Sequence, residues 1–171
     1  MLTIRLATPS DAELIADLSR TTFYDTFIDD NAKEDMDKFM DEVFTKDALM
    51  KEVGAANNIF LLAEDEGKAV GYVRLRENNI PPELGTTNAL EIARLYAAKE
   101  SIGKGVGKAL MQACVNIAMI QKAHTLWLGV WEKNERAIRF YKQWGFEKFA
   151  DTAFKFGNDV QNDWLMKKTL S

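Results

Sequence analysis

Apolar residues in this chain recur at two periods, and the switches between them mark out its elements. Residues 2–7 alternate as a short strand, with Ile4 and Leu6 on one face. Thr8-Pro9-Ser10-Asp11-Ala12-Glu13 then opens a helix, with Pro9 suited to a first turn and Ser10 and Glu13 at capping-box spacing. Its stripe continues through Ile15, Leu18 and Ser19 and ends near Phe23-Tyr24-Asp25-Thr26-Phe27. A second helix is predicted from Lys33 to Glu52, with Met36, Phe39, Met40, Val43 and Phe44 on one face. Asn57-Asn58 ends it.

Residues 59–63 and 69–75 are strands joined by a polar turn, an antiparallel hairpin. A loop through Pro81-Pro82 and Gly85 leads to a strand over 89–96. Val106, Leu110, Ala113, Cys114 and Ile117 mark a long amphipathic helix, and Thr125-Leu126-Trp127-Leu128-Gly129-Val130-Trp131 a strand buried on both faces. Asn134 is placed to cap a helix from Glu135 to Trp144, with Gly145 where a C′ residue belongs. Residues 146–156 and 163–168 form a last strand pair around Gly157-Asn158. A strand, a crossover helix and a second strand between Ala89 and Trp131 require a locally parallel pair in a mixed sheet. The fold class is therefore α+β (mixed α/β), in one domain spanning 1–171.

Composition narrows the function classes. At 47% hydrophobic and 28% charged residues, the chain is that of a soluble globular protein. A formal net charge of -4 argues against binding nucleic acid through a basic surface. One cysteine allows no intrachain disulfide, no apolar run is long enough to span a membrane, and the first residues lack a signal-peptide pattern. The expected location is the cytoplasm. A homodimer is left open.

One stretch carries chemistry: Glu100-Ser101-Ile102-Gly103-Lys104-Gly105-Val106-Gly107-Lys108-Ala109-Leu110. It joins the strand ending at Tyr96 to the start of a helix, where unpaired N–H groups face outward and can bind an anion such as phosphate. Residues 97–122 hold four lysines against one glutamate, a basic island in an acidic chain. A P-loop is excluded, because Gly103 and Gly107-Lys108 enclose three residues instead of four and Ala109 stands where Ser or Thr is needed. A dinucleotide fingerprint is excluded too, since the glycines are spaced by twos and the next strand ends in Val130-Trp131 without an acid.

Ile102-Gly103-Lys104-Gly105-Val106-Gly107 resembles the phosphate-binding motif of the GNAT superfamily of CoA-dependent N-acetyltransferases, with Ile102 where the family carries Gln or Arg. Asn134-x-x-Ala137-x-x-x-Tyr141-x-x-x-Gly145-Phe146 and the hairpin Val70-Gly71-Tyr72-Val73 match further elements in the family's order. The resemblance implies a mostly antiparallel seven-stranded sheet with helices on both faces and a splayed parallel strand pair that binds CoA. It implies acetyl-CoA as co-substrate, no metal, and direct transfer through a ternary complex. Backbone groups of Leu95, Tyr96 and Ala97 would meet the pantetheine. The run Gly103, Lys104, Gly105, Val106, Gly107, Lys108 and Ala109 would hold the pyrophosphate. Asn134 would contact CoA, and Tyr141 would protonate the leaving thiolate.

An alkylamine arrives protonated, its pKa being about 10.4, so a base or a deprotonating water path is needed. Glu91 is the candidate base, on the strand that should deliver the thioester and sharing a face with Ala93 and Leu95 by period two. An ion pair with Arg94, or a plain surface glutamate, is the competing reading. For the acceptor, residues 23–47 carry nine carboxylates against three lysines. Tyr24, Asp25 and Phe27 there, with Glu91, are the candidate amine-binding groups, the acids attracting a cation and the aromatics covering its methylenes. Thr22-Phe23-Tyr24-Asp25-Thr26-Phe27, Leu90-Glu91-Ile92 and Trp127-Leu128-Gly129-Val130-Trp131-Glu132-Lys133-Asn134 are similar to the PaiA-type spermidine/spermine acetyltransferases. This resemblance implies a polyamine acceptor. Another amine (a protein N-terminus, a lysine or an aminoglycoside) and a non-catalytic CoA-binding regulator stand as alternatives.

Overall fold

A computed structural model describes residues 1–170. Seven strands form one sheet in the order β1-β2-β3-β4-β5-β7-β6. In chain order these are β1 Leu2–Leu6, β2 Asn58–Asp65, β3 Lys68–Glu77, β4 Ala89–Ala97, β5 Thr125–Trp131, β6 Glu147–Phe156 and β7 Asp159–Thr169. Every neighbouring pair is antiparallel except β4 with β5. That parallel pair is bridged by the helix α4, Val106–Ile120. The other helices are α1 Ala12–Phe27, α2 Lys33–Glu42, α3 Lys46–Glu52 and α5 Glu135–Gln143.

Burial follows from the alternation of side chains across the sheet. Val73, Leu75, Ile92, Leu126 and Leu128 turn to one face and close over Leu110, Met111 and Cys114 of α4. Phe60, Leu62 and Tyr72 turn to the other, against Ile15 of α1 and Val53 after α3. Helices thus cover both faces. A third cluster joins α1, α2 and α3 to Phe156 at the far end of β6, through Met36, Phe39, Met40 and Leu49. The β2–β3 turn places Glu66 and Gly67 at φ 51° and 76°, the two left-handed residues of a tight hairpin whose twist matches its strands.

Several local expectations are corrected. The helix expected over Lys33 to Glu52 is two helices, α2 and α3. Thr45 starts the second, its Oγ1 accepting the Ala48 N–H at 3.2 Å, and Val43 between them is 60% exposed instead of joining the apolar face. The cap before α1 lies two residues earlier than Ser10 and Glu13: the Asp11 carboxylate accepts the Thr8 N–H at 2.8 Å over a 3₁₀ turn, Pro9–Asp11. Leu6 is exposed at 62%, because β1 is an edge strand whose inner face is covered only at Leu2 and Ile4. β7 begins at Asp159, four residues ahead of the expected start, where it closes a tight turn with β6.

Candidate active site

The site exists because the two parallel strands part. β4 and β5 are in register only from Ala89 opposite Thr125 to Ile92 opposite Leu128. Beyond that β4 runs on to Ala97 and β5 to Trp131 without pairing to each other. The parting starts at a β-bulge. Arg74 of β3 faces Arg94 while the next residue, Leu75, faces Ile92, so Ala93 is an extra residue on β4. An extra residue bends its strand and inverts the alternation beyond it. Glu91 therefore shares its face with Arg94 and Tyr96, and not with Ala93 and Leu95 as simple alternation requires.

Between the diverging strands lies a cavity of about 760 Å³. Leu95, Tyr96 and Ala97 form one wall. The Ala98 N–H donates to the Val70 carbonyl of β3 at 2.7 Å. By alternation, the backbone groups of Leu95 and Ala97 face the opposite way, toward the open side. That edge can pair with an extended amide-bearing ligand.

At the mouth of the cavity, Gly103, Gly105, Gly107 and Lys108 line the surface beside Ile102. Gly103 and Gly105 both hold φ at +84°, a left-handed conformation that costs other L-residues roughly 1–2 kcal/mol. The turn delivers the N–H groups of Gly105, Val106, Gly107 and Lys108 at the head of α4 with no backbone acceptor among the described residues. The expected cradle is narrower than the sequence suggested: the Lys104 N–H donates to Ser101 at 3.2 Å and the Ala109 N–H to Gly105 at 3.0 Å. Unpaired N–H groups, a helix dipole and Lys108 suit a pyrophosphate. The head of α4 approaches closely because β3 presents Gly71, where a Cβ would lie 2.7 Å from the Val106 side chain and 2.8 Å from the Tyr96 carbonyl oxygen.

α5 supplies the next wall. Asn134 caps it, its Oδ1 accepting the Ala137 N–H at 3.2 Å, and Asn134, Ala137 and Tyr141 all reach the cavity. The Tyr141 ring is held edge-on by Phe140 and Phe146 at centroid distances of 5.6 and 5.8 Å. Burial raises its pKa, so the hydroxyl stays protonated and available as a donor. The Cys114 thiol, packed under α4, is pushed up to about 12 by burial and is no nucleophile.

The far end of the cavity is aromatic, with Phe23, Phe27, Phe44, Phe154 and Trp131 on its surface. Phe23 stacks on Phe39 at 5.0 Å, and Phe27 meets Trp131 edge-on at 6.0 Å. None of the nine carboxylates of residues 23–47 lines it. Tyr24 is half-buried in the α1–α3 cluster and Asp25 is half-buried outside the cavity, whereas Phe27 is part of the wall. Glu91 does not reach the cavity either. It is buried on the Arg76 guanidinium, with contacts of 2.5 and 3.0 Å, and accepts from the Asn79 amide at 2.9 Å. The ion pair read as its alternative is with Arg76, because the bulge leaves Arg94 to Glu52.

Among the described residues, two carboxylates line the cavity, Glu52 and Asp163, and periodicity flagged neither. Glu52, at the end of α3, is clamped by Arg94 at 2.7 and 3.0 Å and by Arg74 at 3.2 Å. The Arg94 guanidinium also covers the Phe44 ring at 4.9 Å. Asp163 stands on β7, opposite Trp131 of β5 and Thr152 of β6. Burial, with a further contribution from Glu132, pushes it up to about 6. Among the described residues, no group of three or more His, Cys, Asp or Glu is arranged to hold a metal ion, and no helix is long and apolar enough to cross a membrane.

Known proteins share both pattern and fold. The family model described as "Acetyltransferase (GNAT) family" matches residues 18–146. An uncharacterized N-acetyltransferase of Lactobacillus delbrueckii subsp. lactis is 38% identical over 158 residues, 92% of this chain and 91% of the relative. The peptidyl-lysine N-acetyltransferase YiaC of Escherichia coli is 31% identical, covering 69% of this chain and 68% of its own. A probable spermine N(1)-acetyltransferase of Bacillus subtilis subsp. natto is 30% identical over 48% of this chain and 55% of its own. Among solved structures, the PaiA N-acetyltransferase of Thermoplasma acidophilum in complex with coenzyme A superposes with a TM-score of 0.78 at 22% identity, covering 99% of both chains. A strand pair that parts over a glycine-headed helix, and a family match that spans both, lead to one assignment: the chain belongs to the acetyltransferase (GNAT) family.

Proposed function

We propose that this chain transfers an acetyl group from acetyl-CoA to a primary amine whose body is apolar or aromatic. The observation that carries this is the form of the cavity: a cradle of N–H groups at one end, an open backbone edge along one wall, and an aromatic chamber at the other end. Gly105 to Lys108 would hold the pyrophosphate, Leu95 and Ala97 the pantetheine amides, and Asn134 the same cofactor from the α5 side. Acetyl-CoA supplies a carbonyl already activated as a thioester. The protein orients that carbonyl at the level where β4 and β5 part, with a backbone N–H near Leu95 to Ala97 as the donor to its oxygen. Tyr141 donates a proton to the departing sulfur. The thiol's ordinary pKa of about 8.5 makes such a donor useful at neutral pH.

The acceptor chamber is walled mainly by six-membered and indole rings, and of the two carboxylates that line the cavity Glu52 is held by Arg74 and Arg94. An amine with an aryl or branched alkyl substituent buries that substituent there, at about 25 cal/mol per Å² of apolar surface. A polyamine is the second reading. It is supported by the relative named as a probable spermine N(1)-acetyltransferase; a smaller cleft beside the cavity offers Asp30 and Glu135 next to Trp131, together with Lys133 and Arg136. In that reading the methylenes lie on the aromatic wall and a distal ammonium reaches the cleft.

Thiol release from acetyl-CoA across a panel of amines separates the two. Phenylethylamine-like and branched alkylamines giving the highest kcat/KM is the expected result. Spermidine and spermine leading the panel establishes the second reading, and lysine-bearing peptides leading it rejects both.

A further inference from the structure

We infer that Asp163 is the carboxylate that receives the acceptor's ammonium and takes its proton. This rests on the acetyltransferase reading of the cavity and assigns it a residue outside its sequence motifs. Amine acetylation needs an anionic group that reaches the reacting nitrogen and has no cation of its own. Glu91 fails the first requirement, being buried on Arg76 and Asn79 away from the cavity. Glu52 fails the second, since two guanidinium groups hold it. Asp163 meets both. It lines the cavity, and among the described residues no hydrogen-bond donor or cation pairs with its side chain.

Its position fits the reacting centre. Asp163 extends from β7 beneath Gly129, where β5 leaves β4, and its Oδ2 lies 4.0 Å from the place a Cβ on Gly129 would occupy. Because Gly129 has no side chain, the carboxylate is open to the space between the parted strands, which Tyr96 and Tyr141 also line. The charged and titratable groups around it are few. Tyr96 on β4 and Glu132 just after β5 act on it or feel it, while its partner on β6, Thr152, does not titrate. Burial and Glu132 hold its pKa at about 6, so it is ionised at neutral pH yet far more basic than an exposed aspartate.

The protons balance as follows. The ammonium gives one proton to Asp163, and the freed lone pair forms the C–N bond to the acetyl carbon as the C–S bond breaks. Of the two protons left on nitrogen, one stays in the amide. The sulfur takes a proton from Tyr141, which recovers one from the nitrogen through water, and Asp163 returns its own to solvent.

The test compares wild type with Asp163→Asn and Asp163→Glu, using acetyl-CoA, the best amine of the panel and a thiol reagent active below neutral pH. Wild-type kcat/KM should rise with pH through a limb near 6, the value expected of the free enzyme's base. Asp163→Asn should lose that limb and about a hundredfold in kcat/KM, at the lower bound for loss of a general base, with CoA affinity unchanged. Asp163→Glu should keep a limb and recover part of the loss. An Asp163→Asn enzyme that keeps the limb and its turnover overturns the inference, as does a wild-type profile flat from about pH 5 to 8. The second outcome needs no variant to fold. His124, the one histidine, precedes β5 and does not line the cavity. Wild type that binds CoA but turns over no amine rejects the functional reading itself.

Discussion

Replacing Gly71 with alanine adds one methyl group at a point of close approach between the sheet and α4. The new Cβ would lie 2.7 Å from Val106 Cγ1, 2.8 Å from the Tyr96 carbonyl oxygen and 3.1 Å from Leu110 Cδ1. Of these neighbours, Tyr96 O is backbone of β4, fixed on one side by the β3–β4 ladder, so relief must come from moving the head of α4 outward. Overpacking a close-packed core costs roughly 1–3 kcal/mol. In a chain of this size each kcal/mol lowers Tm by about 2–4 °C, so a drop of roughly 2–12 °C is expected. Val106 is the first residue of α4, so the same displacement moves the N–H groups proposed to hold the pyrophosphate. CoA affinity should fall together with stability. Thermal unfolding without ligand, paired with calorimetric titration of CoA, reads both. Gly71→Ala with unchanged Tm and CoA affinity would refute the idea that this glycine sets the height of α4 over the sheet.

Other outcomes follow from the same geometry. Gly105→Glu imposes left-handed strain of about 1–2 kcal/mol and sets a carboxylate beside the unpaired N–H groups proposed to bind phosphate. CoA affinity measured by titration should fall about tenfold or more, the equivalent of 1.4 kcal/mol. Tyr141→Phe should reduce kcat by about a hundredfold while CoA binding stays nearly intact, and loss of binding without loss of turnover would contradict its role. Thr45→Ala removes the cap of α3, the helix that carries Glu52, and should cost about 1 kcal/mol in denaturant unfolding. Asp11 is held below the usual carboxylate range by the Arg5 guanidinium, then by the Thr8 N–H. A depressed native pKa stabilises the fold above the unfolded value near 4 and is lost as pH falls below it. Asp11→Asn should therefore flatten part of the decline in stability between about pH 4 and 2, followed by acid titration of the unfolding midpoint.

How much of this was legible in the chain depends on whether the signal is local. Strand and helix order came from hydrophobic period, and the caps at Asn134 and Gly145 came from residue chemistry, because both are decided within a few residues. The glycine turn into α4 was equally local, since left-handed φ at Gly103 and Gly105 needs residues without a Cβ. The break between α2 and α3 was harder to see, because Val43 and Phe44 continue the apolar stripe by identity while Thr45 turns the chain by its hydroxyl.

The acceptor side could not be read that way. Alternation placed Glu91 beside Ala93 and Leu95, and one bulged residue reversed this, sending Glu91 to Arg76 and leaving Arg94 to Glu52. A bulge depends on how β3 and β4 pair, which no window of β4 alone contains. The acids of residues 23–47 are dense in sequence yet none lines the cavity, while Phe39 of the same stretch turns inward to meet Phe154 and Phe156 from the other end of the chain. Asp163 is an ordinary polar residue in a strand until β7 lies beside β5 under Gly129. The sequence by itself determined the order of the strands and of most helices, the glycine turn into α4 and the family. Only the tertiary structure decided which carboxylates line the cavity, because that depends on how the strands lie beside one another and not on spacing along the chain.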